Sequence, residues 1–161
     1  MTSQAGRARP SALAPFRRIA ILAVALVAMA CSAIPIPGVG GTLVVVETRG
    51  GECINPPCGS RIAIESDGRV HQLAPIEAEL GTVPADVLAR LSSAIRGADY
   101  QAIKSRPFTG ECPVNFDGQE IIYEFSTLAG VETIASCTIE VDPDAPPFGP
   151  VWEAMALALA R

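Results

Sequence analysis

Apolar and polar positions change spacing three times along the chain. Residues Ile19 to Ala30 are apolar without interruption. From Thr42 to Thr48 (TLVVVET) a β-branched apolar run predicts a strand with at least one face deeply buried. Arg61 to Ser66 sets Ile62 and Ile64 against Arg61, Ala63 and Glu65, and Arg69 to Leu73 returns after Asp67-Gly68. That dipeptide favours a tight hairpin with both central residues at positive φ. The spacing then becomes helical. Thr82-Val83-Pro84 opens a helix, with a hydroxyl near the cap and proline in the first turn. Its stripe is Val87, Leu88, Leu91, Ala94 and Ile95, and Gly97 ends it.

Asp99 is placed to cap a shorter helical turn through Ile103, before Pro107 breaks it. Gln119 to Phe125 alternates Ile121, Tyr123 and Phe125 against Glu120, Ile122 and Glu124. After Leu128-Ala129-Gly130 the chain alternates again to Val141, with Val131, Ala135, Cys137, Ile139 and Val141 expected inward. A proline-rich connector, Pro143 to Pro150, leads to a closing helix, Val151 to Arg161, with Trp152, Met155 and Leu159 as its packing stripe. The order is βββ-α-ββ-α. It predicts an α+β domain: an antiparallel sheet of about five strands with helices on one face.

The apolar run at the start is an address rather than a core element. Arg17-Arg18, a 12-residue apolar stretch and the ending Ala28-Met29-Ala30 match the three parts of a secretory signal. As a helix, that stretch rises only ~18 Å, against a hydrocarbon core of ~30 Å. Cys31 follows, and the junction resembles the bacterial lipobox, in which a cysteine is acylated and becomes the new N-terminus. Ala28 and Met29 depart from that pattern, and the same bond also fits ordinary A-x-A cleavage, which would release a secreted protein. Ser32 to Gly41 (SAIPIPGVGG) reads as a tether spanning at most ~30–35 Å. Residues 1–30 are thus expected to be a signal peptide, 31–41 an anchor cysteine with its tether, and 42–161 a single domain.

Removing the leader changes the charge. Four of the twelve basic residues fall in residues 1–30, which hold no acid, leaving eight against seventeen acidic ones, a net of −9 with His71 neutral. Such a surface repels phosphate backbones and anionic headgroups, so nucleic acid is excluded as a partner and membrane attachment is assigned to the lipid. The expected location is the cell envelope, facing the periplasm or the exterior.

Five cysteines in an oxidising compartment leave one over, and lipid on Cys31 leaves an even four. Proximity favours Cys53–Cys58 and Cys112–Cys137 among the three possible connectivities. In the chain-entropy model the two loops contribute ~2 and ~3.5 kcal/mol. A redox pair needs closer spacing near a helix N-terminus, and a zinc site needs two short-spaced pairs, so no metal or cofactor is expected.

Catalytic sets are sparse. The single histidine, His71, lies within a strand, and neither a nucleophile elbow nor a phosphate-cradling glycine loop is present. Asp117 with Glu120, and Asp142 with Asp144, are acid pairs that also serve as turn residues. Arg106, Phe108 and Tyr100 are placed to form a small recognition patch near Cys112, with core packing the favoured alternative for Phe108. The run Ser105 to Pro113 (SRPFTGECP), continuing to Asp117-Gly118-Gln119-Glu120, resembles a segment of small uncharacterised bacterial exported proteins. Cys58-Gly59 before Asp67-Gly68 matches the same pattern. The resemblance covers about residues 42–160 and implies no activity. The expected role is a non-catalytic envelope binder of a protein or another envelope component, with the Cys53–Cys58 loop offered to its partner. A small hydrolase using Asp117 and Glu120 is the alternative.

Overall fold

The first strand determines the architecture, because it is paired on both sides. The computed structural model describes residues 41–51 and 58–160. Strand β1 (Thr42–Gly50) lies between β2 (Gly59–Glu65) and β5 (Gln119–Thr127), with Val46 opposite Ile62 on one side and Tyr123 on the other. Strands β3 (Arg69–Ala74) and β4 (Ala78–Thr82) extend the sheet beyond β2, and β6 (Gly130–Ala135) extends it beyond β5. The order is β4-β3-β2-β1-β5-β6, antiparallel throughout. Helices α1 (Ala85–Gly97), α2 (Tyr100–Lys104) and α3 (Phe148–Leu159) complete the α+β fold, with a 3₁₀ turn at Pro113–Phe116.

Alternation along the strands selects the face that the helices cover. Val44, Val46, Ile64, Val70, Tyr123, Phe125 and Ile134 form one buried cluster with Val87, Leu91 and Ile95 of α1 and Val151, Ala154, Met155 and Ala158 of α3. Aromatic side chains fill its centre. The Tyr123 and Phe148 rings meet edge-on at 4.9 Å, and Tyr123 and Phe125 stack at 5.8 Å. Such pairs contribute about 0.5–1.5 kcal/mol beyond the area they bury. Trp152 donates from Nε1 to the Tyr123 hydroxyl at 2.9 Å, and Tyr100 donates its hydroxyl to the Ile95 carbonyl at 3.1 Å. Burial pushes the pKa of both tyrosines upward. Asp99 caps α2 as its position predicts, accepting the Ala102 N–H at 2.9 Å.

The expected antiparallel α+β layer is present, and four details of its elements need correction. The sheet has six strands, because Ala78–Thr82 forms an edge strand. Its residue Gly81 faces the helices, and a Cβ there would run into the Ala158 carbonyl, so backbone occupies the place of an apolar side chain. Thr82 therefore ends a strand; the residue at the cap of α1 is Pro84, which makes no side-chain capping bond. In the 66–68 hairpin only Gly68 takes positive φ (90°). The loop is one residue longer than a two-residue turn, and that length places a single glycine in the left-handed region. Asp67 acts instead through its carboxylate, accepting the Arg69 N–H at 3.1 Å.

The last strand stops at Ala135, with Ile134 inward and Val131 64% exposed. Ser136 turns the chain there: its hydroxyl accepts the Ile121 N–H and its own N–H donates to the Ile121 carbonyl, both at 2.9 Å. Ile139 continues only as an isolated bridge to Pro107. Helix α3 begins three residues early, at Phe148, and buries Val151, Ala154, Met155 and Ala158, leaving Leu159 exposed. Alanines on the inner stripe let the helix approach the sheet closely.

Candidate functional site

The two ends of the sheet differ in what they carry. The chain enters β1 at Gly41, beside the 66–68 hairpin, where the Ser66 N–H bonds the Gly41 carbonyl at 2.9 Å. Nine residues later, about 30 Å along the strand, β1 ends at Gly50. Three connections come together at this far end. Cys58-Gly59 leads into β2, with Gly59 opposite Arg49. A Cβ on Gly59 would strike the Thr48 carbonyl oxygen, and its φ of 110° excludes most other residues, so glycine is needed to close the loop against β1.

The second connection is the 3₁₀ turn before β5. Gln119 pairs with Gly50, and Val114 lies over Gly50 so closely that a Cβ there would sit 2.6 Å from it. Asp117 closes this turn in the left-handed conformation (φ 61°), with Gly118 donating to the Pro113 carbonyl at 2.8 Å. Cys112, immediately before the turn, is bonded to Cys137 with Cα atoms 5.1 Å apart. The third connection is the β3–β4 turn through Pro75 and Ile76, beginning at Ala74, which pairs with Arg61. Phe116 is 67% exposed and Ile76 74% at this end, while Leu128 (78%) and Val131 (64%) stand out at the opposite end, so the cysteine-bearing connections are what set this end apart.

Two clefts open beside these connections. One, of ≈ 340 Å³, is bounded by Arg49, Cys58, Gly59, Arg61 and Pro75. The other, of ≈ 390 Å³, is lined by His71, Gln72, Leu73, Glu77, Ala78 and Glu79 on the β3–β4 hairpin. Charged side chains cross the sheet between β2 and β5 on the face away from the helices. Arg61 reaches Glu124 at 2.9 Å and Glu47 at 3.9 Å, and Arg49 bonds Glu47 at 2.5 Å. Hydrogen bonding to Glu47 is the main cause that holds the Arg49 guanidinium more basic than usual. The Arg61 guanidinium is shared between two carboxylates, and its Nε is buried without a hydrogen-bond acceptor.

No family model, curated protein or solved structure matches the chain. The site is therefore read from its own residues.

Of the residues singled out in the sequence, Cys112 and Cys137 form the expected disulfide. Cys58 is also disulfide-bonded; Cys53 and Cys31 lie outside the described residues. Asp117 and Glu120 do not form a buried pair. Asp117 is exposed on its turn, and Glu120, half-buried on β5, is opposite Arg49. Asp142 accepts the Asp144 N–H at 3.0 Å in an exposed turn. His71 lies between Ala63 and Glu79 of the neighbouring strands and lines the larger cleft. The Tyr100, Arg106 and Phe108 patch does not assemble: Tyr100 is in the core against Phe125, and Arg106 is exposed. Phe108 packs under Gly110, where a Cβ would come 2.7 Å from its ring.

Among the described residues, no three His, Cys, Asp or Glu side chains are grouped to hold a metal ion, and no helix is long and apolar enough to cross a membrane. Sequence reasoning missed the β3–β4 turn and the Glu47–Arg61–Glu124 bridge. The bridge is signalled only by Glu47, Arg61 and Glu124 alternating outward on three strands, and it becomes visible once their register is known.

Proposed function

We propose that this is an exported envelope protein, held to the membrane by lipid on Cys31, that binds a partner non-catalytically through the far end of its sheet. The observation that carries this reading is the polarity of β1. The chain joins the domain at one end of the strand, and the cysteine-bearing connections with Phe116 and Ile76 lie at the other. A domain tethered through Gly41 would hold that end outward, about 30 Å beyond its attachment. The Cys112–Cys137 bond restricts the connection before β5, which lowers the ordering cost of binding. Exposed aromatic and branched side chains are typical anchors of an interface.

Acid hydrolysis has less support. A carboxylate pair working as acid and base needs convergence, with one member desolvated, whereas Asp117 is exposed on a turn. The test has two parts. Intact mass of the membrane-fraction protein, with and without reduction, is expected to show acyl chains on a chain beginning at Cys31 and four cysteines released only by reductant. A photo-cross-linking residue at Phe116 is expected to capture a partner in the envelope, while one at Leu157 is not. A soluble product with an unmodified Cys31 overturns the anchor, and equal capture from both positions overturns the outward-end assignment.

A further inference from the structure

We propose that the cleft on the β3–β4 hairpin receives an extended basic polypeptide segment carrying apolar residues, a choice of partner that rests on the outward-end reading above. Three independent features converge on this partner. First, among the described residues β4 ends the sheet on its side, and no further strand pairs with its outer edge. An extended polypeptide can hydrogen-bond along such an edge, whereas a compact cation such as a polyamine cannot. Second, Leu73, 41% exposed, lines the cleft, and Ile76, 74% exposed, stands in the adjoining turn, where its carbonyl accepts from the Gln72 side chain at 3.0 Å. At ≈ 390 Å³ it is in the size range of pockets that take a few side chains.

Third, the carboxylates that line it are not held in ion pairs, although His71 lines it with them and Arg69 of β3 is within electrostatic reach of Glu79. Glu77 and Glu79 line the cleft, and neither makes an ion pair, although seven other ion pairs are formed among the described residues. No lysine or arginine lines the cleft. Two carboxylates without ion pairs beside two exposed aliphatic side chains complement a segment that alternates Lys or Arg with Leu, Ile or Phe. Alternation matters because a strand added to β4 would turn successive side chains to opposite faces. The smaller cleft lacks this character, since Arg49 and Arg61 stand there with Glu47.

The probe is a labelled peptide alternating Lys and Leu, compared with one alternating Glu and Leu, titrated with the folded, disulfide-intact domain by fluorescence anisotropy. The Lys peptide is expected to bind at least about tenfold more tightly than the Glu peptide, with affinity falling as salt rises. Glu77→Gln with Glu79→Gln is expected to weaken it about tenfold, and Ile76→Ser by a smaller factor. Asp142→Asn with Asp144→Asn removes the same charge from the connector before α3 and is expected to leave the affinity within twofold of the parent (roughly 0.4 kcal/mol). Equal loss from both double variants would show attraction to net charge alone and overturn the cleft. Parental affinity in the Glu77/Glu79 variant overturns it too. Failure of the Lys peptide to bind while capture at Phe116 persists removes this partner and leaves the outward-end reading standing.

Discussion

The face of the sheet that carries the helices and the face that does not are built from the same strands by different means. On the covered face Val44, Tyr123, Phe125 and Ile134 are buried among helix side chains and aromatic rings. On the other, Val45, Ala63 and Ile122 are also buried, but their strand neighbours include Glu47, Arg61 and Glu124, joined by ion pairs. Burial of carbon supplies free energy in proportion to area, while partly exposed ion pairs return little after side-chain ordering and solvent screening. The covered face is expected to hold the domain together, and the other to be tolerant of change.

Substitutions can break this contrast. Phe125→Ala is expected to have the largest effect, about 3–5 kcal/mol of unfolding free energy in urea, because Phe125 is wholly buried between Tyr123, Tyr100 and Phe148. Next is the Cys112–Cys137 bond, which spans 25 residues; replacing both cysteines by serine is expected to cost ~3.5 kcal/mol and to lower the melting temperature. A shift much below 1 kcal/mol would mean that the Ser136–Ile121 bonds already hold the connection.

Alkaline titration is a third measure of the covered face. Tyr100 and Tyr123 have folded pKa values raised by burial, so their neutral forms are favoured in the folded state. Below about pH 10 both states keep the phenolic proton and this contribution is fully present. Above it the unfolded chain loses the proton first, and stability falls by up to about 1.4 kcal/mol per pH unit for each tyrosine. Tyr100→Phe and Tyr123→Phe are each expected to flatten that slope in denaturation curves between neutral and alkaline pH. The smallest effect belongs to the other face: Arg61→Gln is expected to change stability by less than about 1 kcal/mol, since Arg61 and Glu124 are partly exposed. A loss there equal to that of Phe125→Ala would abolish the contrast between the faces.

How much of this was readable depended on whether side chains carried the signal. Val44, Val46, Tyr123 and Phe125 announce their strands because alternate positions are large and apolar. Strand β4 is silent because Gly81 is where a core side chain would be, and the Ala158 backbone fills that space. The β6 pattern misleads in the opposite way. Apolar residues recur at Val131, Ala135, Cys137, Ile139 and Val141, yet Ser136 turns the chain after Ala135 and Ile134 carries the core contact. Chain proximity alone points to the Cys112–Cys137 bond. The candidate site was less legible, since Glu77, Phe116 and Cys58 meet at one end only through a register that places β1 between β2 and β5.

The close contact between Gly81 and Ala158 has a practical corollary for protein engineering. It brings the tail of α3 to the end of the sheet where the chain first joins β1, so the incoming and outgoing backbone leave from one side of the fold. The unit can therefore be spliced like a lollipop into a surface loop of an unrelated host, with two short stalks, while its opposite tip stays unencumbered for display.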